Sequence, residues 1–141
     1  MKNEMLRLDN QICFPLYAVN KELTRRYRPL LEKLNVTYPQ YLVLLVLWEH
    51  DEMSIKALGE HLQLDSGTLT PMLKRMEENQ LIDRIRSKKD ERVVKVMLTK
   101  QGKNAEKQAL SIPMEFLEQT NLNESELIQL RNLLDKMIKG H

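Results

Sequence analysis

The stretch IKALGEHLQLDSGTLTPMLKR, Ile55 to Arg75, decides the fold. Ile55 to Leu62 has helical spacing and Ser54 ahead of it as a cap. Asp65 or Ser66 can cap a second helix that runs to about Asn79. Only Gln63-Leu64-Asp65 separates the two. A helix, a short turn and a second helix make a helix-turn-helix, whose second helix can enter the major groove of DNA with its N-terminal residues toward the bases. Ser66, Thr68 and Thr70 suit hydrogen bonds to phosphates and base edges, while Lys74 and Arg75 supply cations. An ordinary αα-hairpin with solvated polar residues explains this segment equally well.

The residues C-terminal to Asn79 weaken that plainer explanation. Leu81 to Ser87 and Val93 to Leu98 read as strands, with the charged tip Lys88-Lys-Asp-Glu-Arg92 between them. Lys74, Arg75, Arg84, Arg86, Lys88, Lys89, Arg92 and Lys95 place eight of the 22 lysines and arginines within residues 74–95. A helix-turn-helix followed by a basic β-hairpin is the winged-helix plan, in which a tip arginine can enter a narrow minor groove. Asp90 fits this surface as a brace that aims the Arg92 guanidinium.

Outward from this core the chain is helical, in keeping with only four glycines and five prolines. Leu6 to Tyr27 carries Ile12, Leu16, Val19 and Leu23 at helical spacing. Pro15 either starts this helix or bends it, and Pro29 is expected to end it, leaving a short piece from Pro29 to Leu34. Thr37-Tyr-Pro-Gln40 reads as a capping box that opens a fully buried central helix through Trp48. Thr99 caps a long helix, Lys100 to about Glu118, bent at Pro113. Asn123-Glu-Ser-Glu126 caps a final one with an apolar stripe from Leu127 to Ile138.

At 141 residues with a net charge of +2, the composition is that of an ordinary soluble protein. No apolar run approaches the ~20 residues of a membrane helix. The start MKNEMLRLDN lacks the apolar stretch of a signal peptide, so a cytoplasmic protein is expected. His50, His61 and His141 have no metal-ligand spacing and read as surface groups. No cofactor-binding motif is visible, and no metal or cofactor is expected.

Cys13 is the only cysteine, so no intrachain disulfide can form. A lone cysteine on an apolar stripe is either core filler or a reactive thiol. Cys13 falls at the expected start of a helix, where unsatisfied N–H groups stabilise an anion. Phenolic hydroxyls would do the same, and the chain has four tyrosines, Tyr17, Tyr27, Tyr38 and Tyr41. Phe14 and Leu16 would favour an organic hydroperoxide over hydrogen peroxide.

The run Leu64 to Met76, the wing Arg86 to Arg92 and Leu98 to Gly102 resemble the MarR (multiple antibiotic resistance regulator) family. Gln11 to Phe14 with Tyr17, and Leu34 to Tyr41, are similar to its organic-hydroperoxide-responsive branch and to the staphylococcal redox regulators in it. The resemblance spans about Asn10 to Met137. It implies a mainly α fold, with a winged helix-turn-helix at 35–99 and an intertwined dimerisation region formed by 1–34 and 100–141. It also implies a homodimer on double-stranded operator DNA. Cys13 would be the peroxide sensor, held by the hydroxyls of Tyr17, Tyr27 and Tyr38. Without a second cysteine, the family's two-cysteine disulfide mode has no partner here, so the oxidised sulfur would be trapped by a low-molecular-weight thiol as a mixed disulfide or overoxidise to sulfinic acid.

The expected function is therefore a transcriptional repressor that releases its operator when organic hydroperoxide oxidises Cys13. Two alternatives stand beside it: a MarR-type repressor released by a small phenolic ligand, and a thiol peroxidase. The peroxidase would have no resolving cysteine and no arginine beside Cys13.

Overall fold

The structure is a computed structural model that describes residues 3–139. The expectations for Met1, Lys2 and His141 lie outside these residues. Contacts divide the chain into two compact units, one ending at Leu110 and the other beginning at Ser111.

The first unit opens with two 3-10 turns, Glu4–Leu6 and Leu8–Asn10, tied together by the Gln11 side-chain amide, which donates to the Met5 and Arg7 carbonyls at 2.8 Å each. Helix α1 then runs from Cys13 to Leu31. The helix expected from Leu6 thus starts seven residues later. Of the two outcomes expected for Pro15, the helix start is the one seen: Pro15 lies in the first turn of α1, where N–H groups have no intrahelical acceptor. Pro29 does not end α1 either. It sits in the last turn, where its missing donor costs one bond, and buried Leu31 anchors the end. A 3-10 turn, Glu32–Leu34, and left-handed Asn35 reverse the chain.

Helix α2, Tyr38–His50, begins as expected with a capping box. The Thr37 hydroxyl accepts from the Gln40 N–H, and the Gln40 side chain accepts from the Thr37 N–H at 3.0 Å. Gln40, Tyr41, Val43, Leu44 and Leu47 are buried, but Leu45 is exposed, so α2 is not fully enclosed. Strand β1, Glu52–Ser54, is not expected from the sequence, since three residues give no readable alternation. It adds to the wing hairpin.

Helices α3, Ile55–Leu62, and α4, Ser66–Glu78, are capped by the side chains of Ser54 and Asp65. The turn between them is tight because Gly59 has no side chain. A Cβ there would lie 2.7 Å from the Leu64 carbonyl oxygen. Strands β2, Ile82–Arg86, and β3, Val94–Leu98, form the hairpin, in the antiparallel order β1-β3-β2. Leu69, Leu73 and Met76, at helical spacing on α4, complete one core with Val43, Leu44 and Leu47 of α2, Leu58 of α3 and Ile82, Val96 and Leu98 of the sheet. Burial of this size fixes the orientation of α4 relative to the hairpin.

Helix α5, Lys100–Ala109, is capped by Thr99 and ends ten residues on. The single helix expected to Glu118 is therefore broken. Pro113 has no N–H for the carbonyl of Ala109, which is where the ladder stops. The second unit contains α6, Ile112–Glu118, and α7, Glu124–Lys139. Asn123 and Glu126 form the expected reciprocal cap on α7 at 3.0 and 2.8 Å. Helix α7 buries none of its residues within the chain, and Ile128, Leu130, Leu133, Met137 and Ile138 stand exposed.

Candidate nucleic-acid interface and thiol site

The start of α4 offers hydrogen-bond donors of the kind an anion can use. Its first-turn N–H groups are free of intrahelical acceptors, apart from that of Thr68, which donates to Asp65 Oδ1 at 2.7 Å. The Thr68 side chain, and after it this backbone bond, hold the Asp65 carboxyl below its ordinary range. Ser66, Thr68 and Thr70 are all exposed beyond it, as are Lys74 and Arg75 about one turn after Thr70. Arg75 faces a shallow polar cleft of about 510 Å³ shared with Arg28, Asn35, Thr37 and Asn79.

The wing divides its cations into two groups. Arg84 is committed to α4: its backbone N–H donates to Glu77 Oε2 at 3.0 Å and its guanidinium to Oε1 at 3.1 and 3.3 Å. These bonds, the backbone one first, hold the Glu77 carboxyl low. Arg84 therefore ties the hairpin to the reading helix. Sequence reasoning missed Glu77, whose i+7 relation across a turn carries no periodic signal.

Arg86, Lys88, Lys89 and Arg92 are exposed around the tip. Arg86 Nη1 donates to the Glu91 carbonyl at 2.7 Å and stiffens the loop. Asp90 and Arg92 form the expected brace: Arg92 Nε and Nη2 reach the two carboxylate oxygens at 3.2 and 3.4 Å, and the Arg92 N–H reaches Oδ1 at 3.1 Å. The guanidinium is the main reason that the Asp90 carboxyl is held low. The Arg92 side chain remains 91% exposed, so the brace aims it without hiding it.

Cys13 is the first residue of α1 and is exposed rather than core filler. Tyr17 follows one turn later on the same face, also exposed. Near them Ile12, Phe14, Leu16 and Val19 are also exposed.

Tyr27 and Tyr38 lie elsewhere. Their ring centroids are 4.8 Å apart, and Tyr41 joins them at 5.8 and 6.5 Å. Burial, and secondarily the neighbouring phenols, push the Tyr27 hydroxyl well above its ordinary range. Tyr38 and Tyr41 are also raised, mainly by burial. All three stay protonated donors across the neutral range. Tyr27 is 14 residues from Cys13 on one helix, about 21 Å along its axis at 1.5 Å per residue. One chain therefore brings Cys13 to Tyr17 but not to Tyr27 or Tyr38. The sequence contained Tyr41 in plain view, and its three-residue spacing from Tyr38 was the available signal for its place in the cluster.

His50 and His61 have their rings 5.4 Å apart. No group of three metal-ligating side chains occurs among the described residues.

A helix-turn-helix, a pinned basic hairpin and a braced tip arginine define a winged-helix DNA-reading protein. The family model for the transcriptional regulator SarA/Rot matches residues 25–109. The organic hydroperoxide resistance transcriptional regulator of Bacillus subtilis is 49% identical over 138 residues, covering 98% of this chain and 94% of that protein. AbfR of Staphylococcus epidermidis is similar in three states. The TM-score is 0.80 to reduced AbfR bound to DNA and 0.79 to overoxidised AbfR bound to DNA, at 35% and 34% identity, each over 99% of this chain and 98% of that one. It falls to 0.65 for disulfide-formed AbfR, at 32% identity over 97% and 91%. A MarR variant of E. coli in complex with operator DNA scores 0.78 at 27% identity, over 93% and 98%. The chain belongs to the MarR family of winged-helix transcriptional regulators, alongside the organic hydroperoxide resistance regulator.

Proposed function

We propose that this chain is a homodimeric repressor that binds operator DNA and releases it when an organic hydroperoxide oxidises Cys13. The observation that carries this reading is an exposed thiol at a helix start, with exposed apolar side chains near it. Such a surface favours a second copy as its cover. The open stripe on α7 supports the same assignment, with residues 1–34 and 100–141 serving dimerisation and 35–99 serving DNA.

A second copy also resolves the 21 Å separation. Tyr27 and Tyr38 of one chain would donate to the Cys13 sulfur of the other, with Tyr17 completing the set. Donor hydroxyls kept protonated by burial suit a thiolate acceptor. Attack on the peroxide forms an S–O bond as the O–O bond breaks. The sulfur loses two electrons, and the alcohol leaves after taking one proton. A low-molecular-weight thiol then displaces water from the sulfenic acid and leaves a mixed disulfide.

We favour the mixed disulfide over further oxidation as the releasing form. AbfR is known on DNA when overoxidised, and this chain is more similar to both DNA-bound forms than to the disulfide form. An added thiol adduct is bulkier than two oxygens and displaces the tyrosines further.

On DNA, the two α4 helices would enter successive major grooves about 34 Å apart, with Ser66, Thr68 and Thr70 at the bases or phosphates. Lys74 and Arg75 would neutralise backbone charge. Arg86, Lys88, Lys89 and Asp90-braced Arg92 would reach the flanking minor groove, and Arg84 would hold the wing root. The experiment is a gel-shift titration on the chain's own promoter with and without cumene hydroperoxide and a small thiol. Release by the wild type and retention by Cys13→Ser is the expected pair of results. Equal release from both proteins would defeat the reading.

A further inference from the structure

Trp48 is the chain's only tryptophan, and it joins two regions that the oxidation chemistry leaves unconnected. At one end stands the tyrosine cluster. Tyr41, buried among those rings, meets Trp48 edge-on, with centroids 6.3 Å apart and planes at 71°, a favourable aromatic geometry. At the other end the indole N–H leaves α2 and donates to the Gly102 carbonyl at 2.9 Å.

Gly102 sits in the first turn of α5, pressed against the root of the wing. A Cβ there would lie 2.1 Å from the Leu81 carbonyl oxygen and 3.0 Å from Leu98. The Leu81 carbonyl also accepts from the Thr99 N–H at 3.1 Å, and the Thr99 hydroxyl donates to the Gln80 carbonyl at 2.6 Å. Leu81 leads into β2 and Leu98 ends β3. The path from the phenols to the hairpin thus runs through two ring contacts, one hydrogen bond and one backbone-on-backbone contact. It contains no long flexible side chain that could absorb a displacement. Close-packed interiors pass such shifts on.

We infer that Trp48 is a positioning residue that couples the tyrosine cluster to the wing root, so that displaced phenols become a displaced wing. This rests on the proposed pairing of that cluster with Cys13. The role of Trp48 is transmission rather than chemistry.

The test uses the full-length protein with Trp48→Phe, which keeps a ring and removes the donor. Sulfenic acid formation at Cys13 and operator affinity before and after oxidation are measured side by side. The variant should oxidise at the wild-type rate and bind DNA normally when reduced. Its reduced-to-oxidised affinity ratio should shrink at least tenfold. A wild-type ratio would overturn the coupling, as would a loss of reduced-state affinity with the ratio unchanged. If the variant does not fold, the emission of Trp48 in the unmodified protein decides. A shift on peroxide treatment that is absent in Cys13→Ser supports the link, and unchanged emission during DNA release refutes it. Release by Cys13→Ser would instead sink the sensor reading, and the coupling with it.

Discussion

Cys13 and Tyr27 share one helix yet stand 14 residues and about 21 Å apart, so any hydrogen bond between them has to cross between two chains. Heterodimers separate the two cases. One chain carries Cys13→Ser and intact tyrosines; the other keeps Cys13 and carries Tyr27→Phe with Tyr38→Phe. The remaining thiol should react with peroxide at the wild-type rate, because its phenols come from the opposite chain. A rate as slow as that of the doubly substituted homodimer would mean that the tyrosines act within their own chain.

Arg92 is held at the wing tip by Asp90 but stays open to a ligand. Arg92→Ala should weaken operator binding by about 1–3 kcal/mol, the usual scale for a specific arginine contact. Lys88→Ala should instead weaken binding to all sequences and lower the salt slope by about one. Fluorescence anisotropy on operator and scrambled duplexes across a salt series reads both effects. Unchanged affinity in Arg92→Ala would remove the wing from the interface.

The Glu77–Arg84 pair predicts a pH effect of defined sign. The folded state holds Glu77 below its ordinary value, so its contribution is complete above the ordinary glutamate range and is lost as pH falls through the lower folded value. Glu77→Gln should reduce stability near neutrality by about 0.5–1 kcal/mol, a figure kept small because both side chains are partly solvated. The difference from wild type should vanish at low pH. Urea melts at several pH values measure it, and a difference that grows on acidification would contradict the assignment.

Gly59 allows α3 to approach the turn into the reading helix. Gly59→Ala places a methyl 2.7 Å from a backbone carbonyl that has nowhere to move. The substitution should cost about 1–3 kcal/mol of stability, and operator affinity should fall with it. Thermal unfolding with wild-type midpoint would show that the turn is slack.

The winged helix was legible because its signals are local. Ser54 and Asp65 cap the helices they precede, the hairpin alternates around a charged tip, and Asp90 sits two residues from the arginine it braces. Helix ends set by proline were harder to read. Pro15 and Pro29 fall in terminal turns that tolerate them, whereas Pro113 removes the one donor needed to continue α5. The Glu77–Arg84 tie and the Trp48–Gly102 bond depend on tertiary proximity, and no spacing rule announces them. The apolar faces of α1 and α7 were visible as stripes, but only the folded chain shows how much of them lies uncovered.

The most direct test of the sensor applies two readouts to one sample. Protein on fluorescent operator is treated with cumene hydroperoxide and a low-molecular-weight thiol, while anisotropy reports release and intact-mass spectrometry reports the adduct. The account predicts a mixed disulfide on Cys13 that rises in step with release. The affinity loss should be about 3–4 kcal/mol, more than a hundredfold in occupancy. Release of Cys13→Ser protein at full strength, or a Cys13 adduct that forms while the operator stays bound, would contradict it.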